Sequence, residues 1–220
     1  SLVNRLPLDP DNVIINQISG VSLSGNYYLY NLRTGATKLL FKSGGRSTPG
    51  LFNPRDGEVL TRTQLEPIGS GEYEQRILIR NAKTGEFEEH GQLTTKLSGR
   101  NTVDIVGIDE TSGKFYVLTD QWSDRVQAWM YDPVEMKYES EPLLSHPKYS
   151  ISRLILGTQP SNFNKILGYA VAGPDIETTY VEPRMQGINA MLQKAFPGQT
   201  VSLDGYNDDM SRVLFSTENA

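Results

Sequence analysis

Tyr28-Leu-Tyr-Asn-Leu-Arg-Thr-Gly35 runs into Ala36-Thr-Lys-Leu-Leu-Phe41. Ile77-Leu-Ile-Arg-Asn-Ala-Lys-Thr-Gly85 runs into Glu86-Phe-Glu-Glu89. Each reads as a strand, a tight turn and a return strand. The shared Asn-x-x-Thr-Gly places glycine where the turn needs a positive φ. A third copy, Ala128-Trp-Met-Tyr-Asp-Pro-Val-Glu-Met-Lys137 into Tyr138-Glu-Ser-Glu141, turns on Asp132-Pro133 instead. Along the strands Leu29 and Asn31 alternate with Tyr28 and Tyr30, and Ile77 and Ile79 with Leu78 and Arg80. A period of two in residues of this kind is the mark of β-strands.

A second unit keeps step with the first: a polar turn, then a short strand of bulky apolar residues. Its copies start their strands at Val13, Val59, Phe115, Ile166 and Val213. The intervals are 46, 56, 51 and 47 residues, close to 50, the length of a four-stranded propeller blade. Two units recurring in phase favour a propeller over a β-sandwich. The expected fold class is all-β: a partial β-propeller of about four to five blades, starting near those five residues, in one domain over 1–220.

One segment breaks the pattern. Met185, Ile188, Met191, Leu192 and Ala195 recur at helical spacing, with Pro183 near the start and Pro197-Gly198 at the end. This predicts one inserted helix over about 184–195, in place of the outermost strand of the fourth blade, with its Met-rich face packed on the propeller edge. After two strands of a fifth blade the sequence stops at Ala220. The expectation is a fragment of a longer protein.

Composition removes several function classes. There is no Cys, so disulfides, thiolate catalysis and Cys-ligated zinc are out. With 2 His, His90 and His146, a multi-histidine metal site has too few ligands. A net charge of −5 without a basic block argues against nucleic acid. No apolar run reaches the roughly 18 residues of a membrane helix, and no charged-then-apolar leader opens the chain. The nearest stretch to a nucleophile elbow, Gly20-Val-Ser-Leu-Ser-Gly25, has the wrong spacing for G-x-S-x-G.

Several stretches in order resemble the propeller of bacterial prolyl oligopeptidase-family serine peptidases of the dipeptidyl aminopeptidase and acylaminoacyl peptidase kind. Asn4-Arg-Leu-Pro-Leu-Asp-Pro-Asp-Asn-Val-Ile-Ile15 is similar to the family's Leu-Pro-x-Asp-Pro-Asp-x-Val-Leu-Val. Tyr28 to Gly35 is similar to its Val-Tyr-x-Val-x-x-x-Thr-Gly. Leu144-Ser-His-Pro-Lys-Tyr-Ser-Ile151 resembles its His-Pro-x-Tyr-Asp-Val, with Ser150 in place of Asp. Thr179-Tyr-Val-Glu-Pro183, the helix and Phe196-Pro-Gly198 resemble its Trp-Phe-Asp-Pro, helix and Leu-Pro-Gly. Val201 to Ser216 is similar to its last propeller strands.

The resemblance implies a non-catalytic propeller that gates peptide access to an α/β-hydrolase domain and docks on it. That domain, with its Ser-Asp-His triad, is expected beyond Ala220. Expected partners are the hydrolase domain and the parent protein's peptide substrate, with no nucleic acid or membrane. The compartment stays open; relatives of this kind are often exported, which leans to periplasmic or secreted. The alternatives are a protein-binding propeller module without peptidase function and a propeller enzyme of lactonase or glycosidase type.

No catalytic, cofactor-binding or metal residue is assigned. His146, before a proline, reads as a turn or packing residue, and His90, after Glu88 and Glu89, as a solvated strand end. Asp204, Asn207, Asp208 and Asp209 crowd an acidic turn that lacks the full calcium-loop spacing. Asp104, Asp109, Glu110, Asp120 and Asp124 are scattered, with nothing to fix a facing pair. Trp122 and Trp129, with Tyr27, Tyr28, Tyr30 and Tyr131, read as blade packing or as a ligand face. Arg62, Arg76, Arg80, Arg100 and Arg125 are candidates for holding a peptide carboxylate or for interdomain ion pairs.

Overall fold

The computed structural model describes residues 1–18, 25–44, 46–174 and 176–219. The Gly20 to Gly25 stretch noted above therefore lies mostly outside the described residues. Contacts divide the chain into two compact units, Ser1–Leu144 and Ser145–Ala220.

The first unit holds three successive sheets whose core strands pair with their neighbours in sequence, all antiparallel. The first is β1 (Leu2–Asn4), β2 (Asn12–Ile18), β3 (Gly25–Asn31) and β4 (Thr37–Lys42). The second is β5 (Ser47–Pro49), β6 (Thr61–Gly69), β7 (Glu72–Arg80) and β8 (Phe87–Glu89), with β9 (Thr95–Lys96) also on β7. The third is β10 (Val103–Ile108), β11 (Phe115–Thr119), β12 (Gln127–Asp132) and β13 (Lys137–Tyr138). The second unit holds β14 (Ser150–Leu156), β15 (Ile166–Ala172) and β16 (Ile176–Tyr180), then helix α1 (Pro183–Ala195), then a hairpin of β17 (Gln199–Tyr206) and β18 (Val213–Asn219). Four-stranded meanders in series are propeller blades.

The chain is all-β, of the β-propeller type.

The helix stands where the sequence placed it, after the third strand of the fourth sheet. Pro183 opens it, the Glu182 carboxylate accepts the Met185 N–H at 2.7 Å, and Gly198, at φ +79°, lies just past its end. Its Met-rich face is split: Met185 and Leu192 are buried, while Met191 is 62% exposed.

The repeat residues mark a different strand from the one expected. Val13, Phe115, Ile166 and Val213 lie at the start of β2, β11, β15 and β18, the second strand of each sheet, and Val59 bridges to Phe52 just ahead of β6. The first strands precede them: β1 and β5 have three residues each, while β10, β14 and β17 have six, seven and eight.

Apolar faces of successive sheets close on one another within each unit. Ile14 of β2 and Leu6 pack with Phe52 and Val59 and with the half-buried Leu29, Leu40 and Phe87. Ile77 and Ile79 of β7 pack with Val117, Trp129, Tyr131 and Tyr138 of the third sheet. Leu167 and Tyr180 pack with Met185 of the helix and with Leu203 of β17. Each fully buried aliphatic side chain contributes about 1.5–3 kcal/mol.

The turns share one chemistry. The Asn31 side-chain oxygen accepts the Arg33 and Thr34 N–H groups, and the Asn81 oxygen accepts those of Lys83 and Thr84. Asn53 accepts the Arg55 N–H, and Asp109 those of Thr111 and Ser112. In these four turns the residue four places on is a glycine at φ between +72° and +75°. Asp132 does the same for Val134 and Glu135, but the left-handed position is held by Met136, at φ +52°.

Candidate functional site

Many of the charged residues that the sequence singled out are engaged in structure. The His146 Nδ1 accepts the Tyr149 N–H at 3.0 Å, and its ring stacks on Tyr149 at 5.6 Å. His90 is a correction: it is not a solvated strand end but 2% exposed, with Nδ1 2.8 Å from the Tyr131 hydroxyl. After β8 the chain turns inward through a 3₁₀ turn, Gly91–Leu93, whose Leu93 is buried. Burial lowers the His90 pKa from its ordinary value, against a smaller upward pull from Glu88. Burial pushes the Tyr131 hydroxyl up to about 12.

The acidic turn closes the β17–β18 hairpin. Asp208 accepts the Ser161 N–H, Asp209 accepts the Ser211 N–H, and the Asn207 oxygen accepts the Arg212 N–H. Asp204 is exposed on β17. Among the described residues no group of three or more His, Cys, Asp or Glu is disposed to hold a metal ion. The scattered carboxylates stay apart: Glu110 pairs with Arg55 at 2.6 Å, Asp120 accepts the Thr102 N–H at 2.7 Å, Asp124 pairs with Arg125, and Asp104 is exposed on β10.

Three arginines gather on one face of the second sheet. Arg76 pairs with Glu74 and Glu89. Arg80 donates to the carbonyls of Val59 and Gly85. Arg62 and Arg80 both lie over the Phe87 ring, at 4.8 and 5.0 Å. The Arg62 Nε is buried without a partner. Arg100 is exposed. Tyr27 packs against Phe41 and Phe52, while Tyr28 and Tyr30 are half-buried on β3.

The two tryptophans come together. Trp122, in the β11–β12 connection, contacts Trp129 of β12 with ring centroids 4.6 Å apart. It also meets Tyr138 of β13 edge-on at 4.7 Å. The three rings border a cavity of 290 Å³ whose rim is Gln92, Lys137, Glu139 and Ser140. Trp129 and Tyr138 are 7% and 9% exposed, and Trp122 is 53% exposed. The Trp129 Nε1 and the Tyr138 hydroxyl are buried without hydrogen-bond partners. Buried polar atoms are nearly always paired, so two orphans in one cavity are unusual. The rim charges are already matched: Lys137 lies 3.5 Å from Glu135, and Glu139 pairs with Lys114. Sequence reading found the two tryptophans by residue type but missed Tyr138, which the pairing of β12 with β13 brings beside Trp129, and Gln92, which comes from the 3₁₀ turn after β8.

No protein-family model matches the chain, and no curated protein matches it. Among solved structures, the crystal structure of TolB from Acinetobacter baumannii aligns with 77% of this chain at 14% identity and a TM-score of 0.44. The alignment spans 37% of that chain's length.

Proposed function

We propose that this chain is the non-catalytic β-propeller portion of a serine peptidase of the prolyl oligopeptidase family. It gates peptide access to an α/β-hydrolase domain and docks on it. The observation that carries the reading is the order of elements in the second unit. Strand β16, the Glu182-Pro183 helix start, the helix and Phe196-Pro-Gly198 follow one another, as the family resemblance requires. The engagement of both histidines also suits a supporting role. His146 is held by backbone N–H groups and His90 by a buried phenol. A catalytic histidine needs a nucleophile on one nitrogen and an orienting acid on the other.

Gating makes a size cut-off the test. The full reading frame is assayed on short chromogenic peptides and on a folded protein of the same cleavable composition. Hydrolysis of the peptides with at least a hundredfold preference over the folded protein is expected. Equal rates on both, or no hydrolysis of either, would contradict the reading.

A further inference from the structure

We infer that the cavity bordered by Trp122, Trp129 and Tyr138 is a binding site for a neutral saccharide. Three features of the site point the same way. First, its unmet groups are donors: the Trp129 N–H and the Tyr138 O–H have no acceptor. Leaving a buried donor unpaired is costly, so the site favours a ligand that brings oxygen. Second, the indole of Trp122 is half-exposed and offers a flat apolar face in contact with both other rings. A pyranose has apolar C–H faces and an equatorial belt of oxygens, which suits a platform of this kind beside inward donors.

Third, the rim is mixed and electrically settled. Lys137 and Glu139 are each committed to an opposite charge. The Gln92 side-chain oxygen takes the Tyr138 backbone N–H at 3.4 Å, and its carbonyl takes the Gln121 amide at 3.2 Å. Ser140 adds an exposed hydroxyl. A proline-rich peptide would answer the donors with carbonyls but has few donors of its own for Glu139 and Ser140. Sugar hydroxyls donate and accept, and so serve both parts of the site. Trp122 lies against both other rings and the two donors are shut off beneath it, so a ligand reaches them only if that ring turns aside.

Trp122 and Trp129 are the chain's only tryptophans. Tryptophan emission, excited where the 11 tyrosines do not absorb, therefore reports from this site alone. The 220-residue chain is titrated with N,N′-diacetylchitobiose and with cellobiose, and with an uncharged polyproline peptide as comparison. A saturable change in tryptophan emission with at least one disaccharide is expected. Tyr138→Phe, which keeps the ring and removes only the orphan hydroxyl, is expected to weaken binding at least tenfold with a melting temperature unchanged or raised. Trp122→Ala, on the surface, is expected to abolish the response of the remaining Trp129. No saturation with either disaccharide, or a response to the peptide alone, would overturn the assignment. So would Tyr138→Phe binding as tightly as the parent.

Discussion

The His90 imidazole and the Tyr131 phenol form a buried hydrogen bond of 2.8 Å that joins the end of β8 to the middle strand β12 of the next sheet. The two rings also meet edge to face at 5.6 Å. Burial lowers the His90 pKa, so the folded chain holds this ring neutral where an unfolded chain would protonate it. The unfolded state then binds more protons below the ordinary histidine value near 6.5. The contribution of His90 is fully present above that value and is lost as pH falls through it towards the lowered folded value. Urea midpoints measured from pH 7.5 down to 5 should fall for the parent chain. His90→Gln should be less stable at pH 7.5 and show a shallower fall. A parallel fall in both would place the pH sensitivity elsewhere.

Met136 occupies a left-handed position that glycine fills in four equivalent turns. A side chain there costs roughly 1–2 kcal/mol, partly offset in the glycine variant by a freer unfolded chain. Met136 is 42% exposed, so little packing is lost with its side chain. Met136→Gly should raise stability by about 0.5–1 kcal/mol, read from urea denaturation at unchanged slope. A less stable variant would mean that the methionine makes contacts worth more than the strain.

Gly57 and Gly113 separate strain from crowding. Both have φ +72°. A Cβ at Gly57 would meet Leu29 Cδ1 at 3.1 Å and Leu40 Cδ1 at 3.4 Å, whereas one at Gly113 meets nothing within 4 Å. Gly113→Ala should cost about 1 kcal/mol, the left-handed penalty alone. Gly57→Ala should cost more, by about 1 kcal/mol, because the first core must give way. Equal costs in thermal denaturation would show that the core around Ile14 absorbs the methyl freely.

Arg62 and Arg80 share the Phe87 ring but differ in what their guanidinium groups hold. The two donors of Arg80 serve backbone carbonyls at 3.0 and 2.8 Å, while the buried Nε of Arg62 serves none. Arg62→Met keeps an apolar stem over Phe87 and removes an unmet donor, so its effect should lie within about 0.5 kcal/mol of zero. Arg80→Met strips two carbonyls of their partner and should destabilise by about 1.5–3 kcal/mol. The reverse order in chemical denaturation would assign Arg62 a partner role.

The strand-turn-strand units and the helix were legible because local chemistry specifies them. Asn31 and Asn81 with their glycines fix a turn within five residues, and Pro183 with Pro197-Gly198 fixes the helix ends. The phase of the blades was not legible. The leading strands β1 and β5 are only three residues long, and in β10, β14 and β17 polar or glycine residues interrupt the apolar ones, so the longer apolar runs stand in the second strands. The burial of His90 was hidden for another reason. Its partner Tyr131 lies 41 residues away, and two glutamates precede it. The aromatic cavity was half legible: the tryptophans stood out as residue types, but Tyr138 joins them through the pairing of β12 with β13, and Gln92 only through the packing of the second sheet on the third.

The most direct test of the account is to treat the full reading frame with a fluorophosphonate probe and map the labelled peptide by mass, beside the 220-residue chain. The account predicts a label on a G-x-S-x-G serine beyond Ala220 and none on residues 1–220. A label within residues 1–220, or no labelled serine anywhere in the full reading frame, would contradict it.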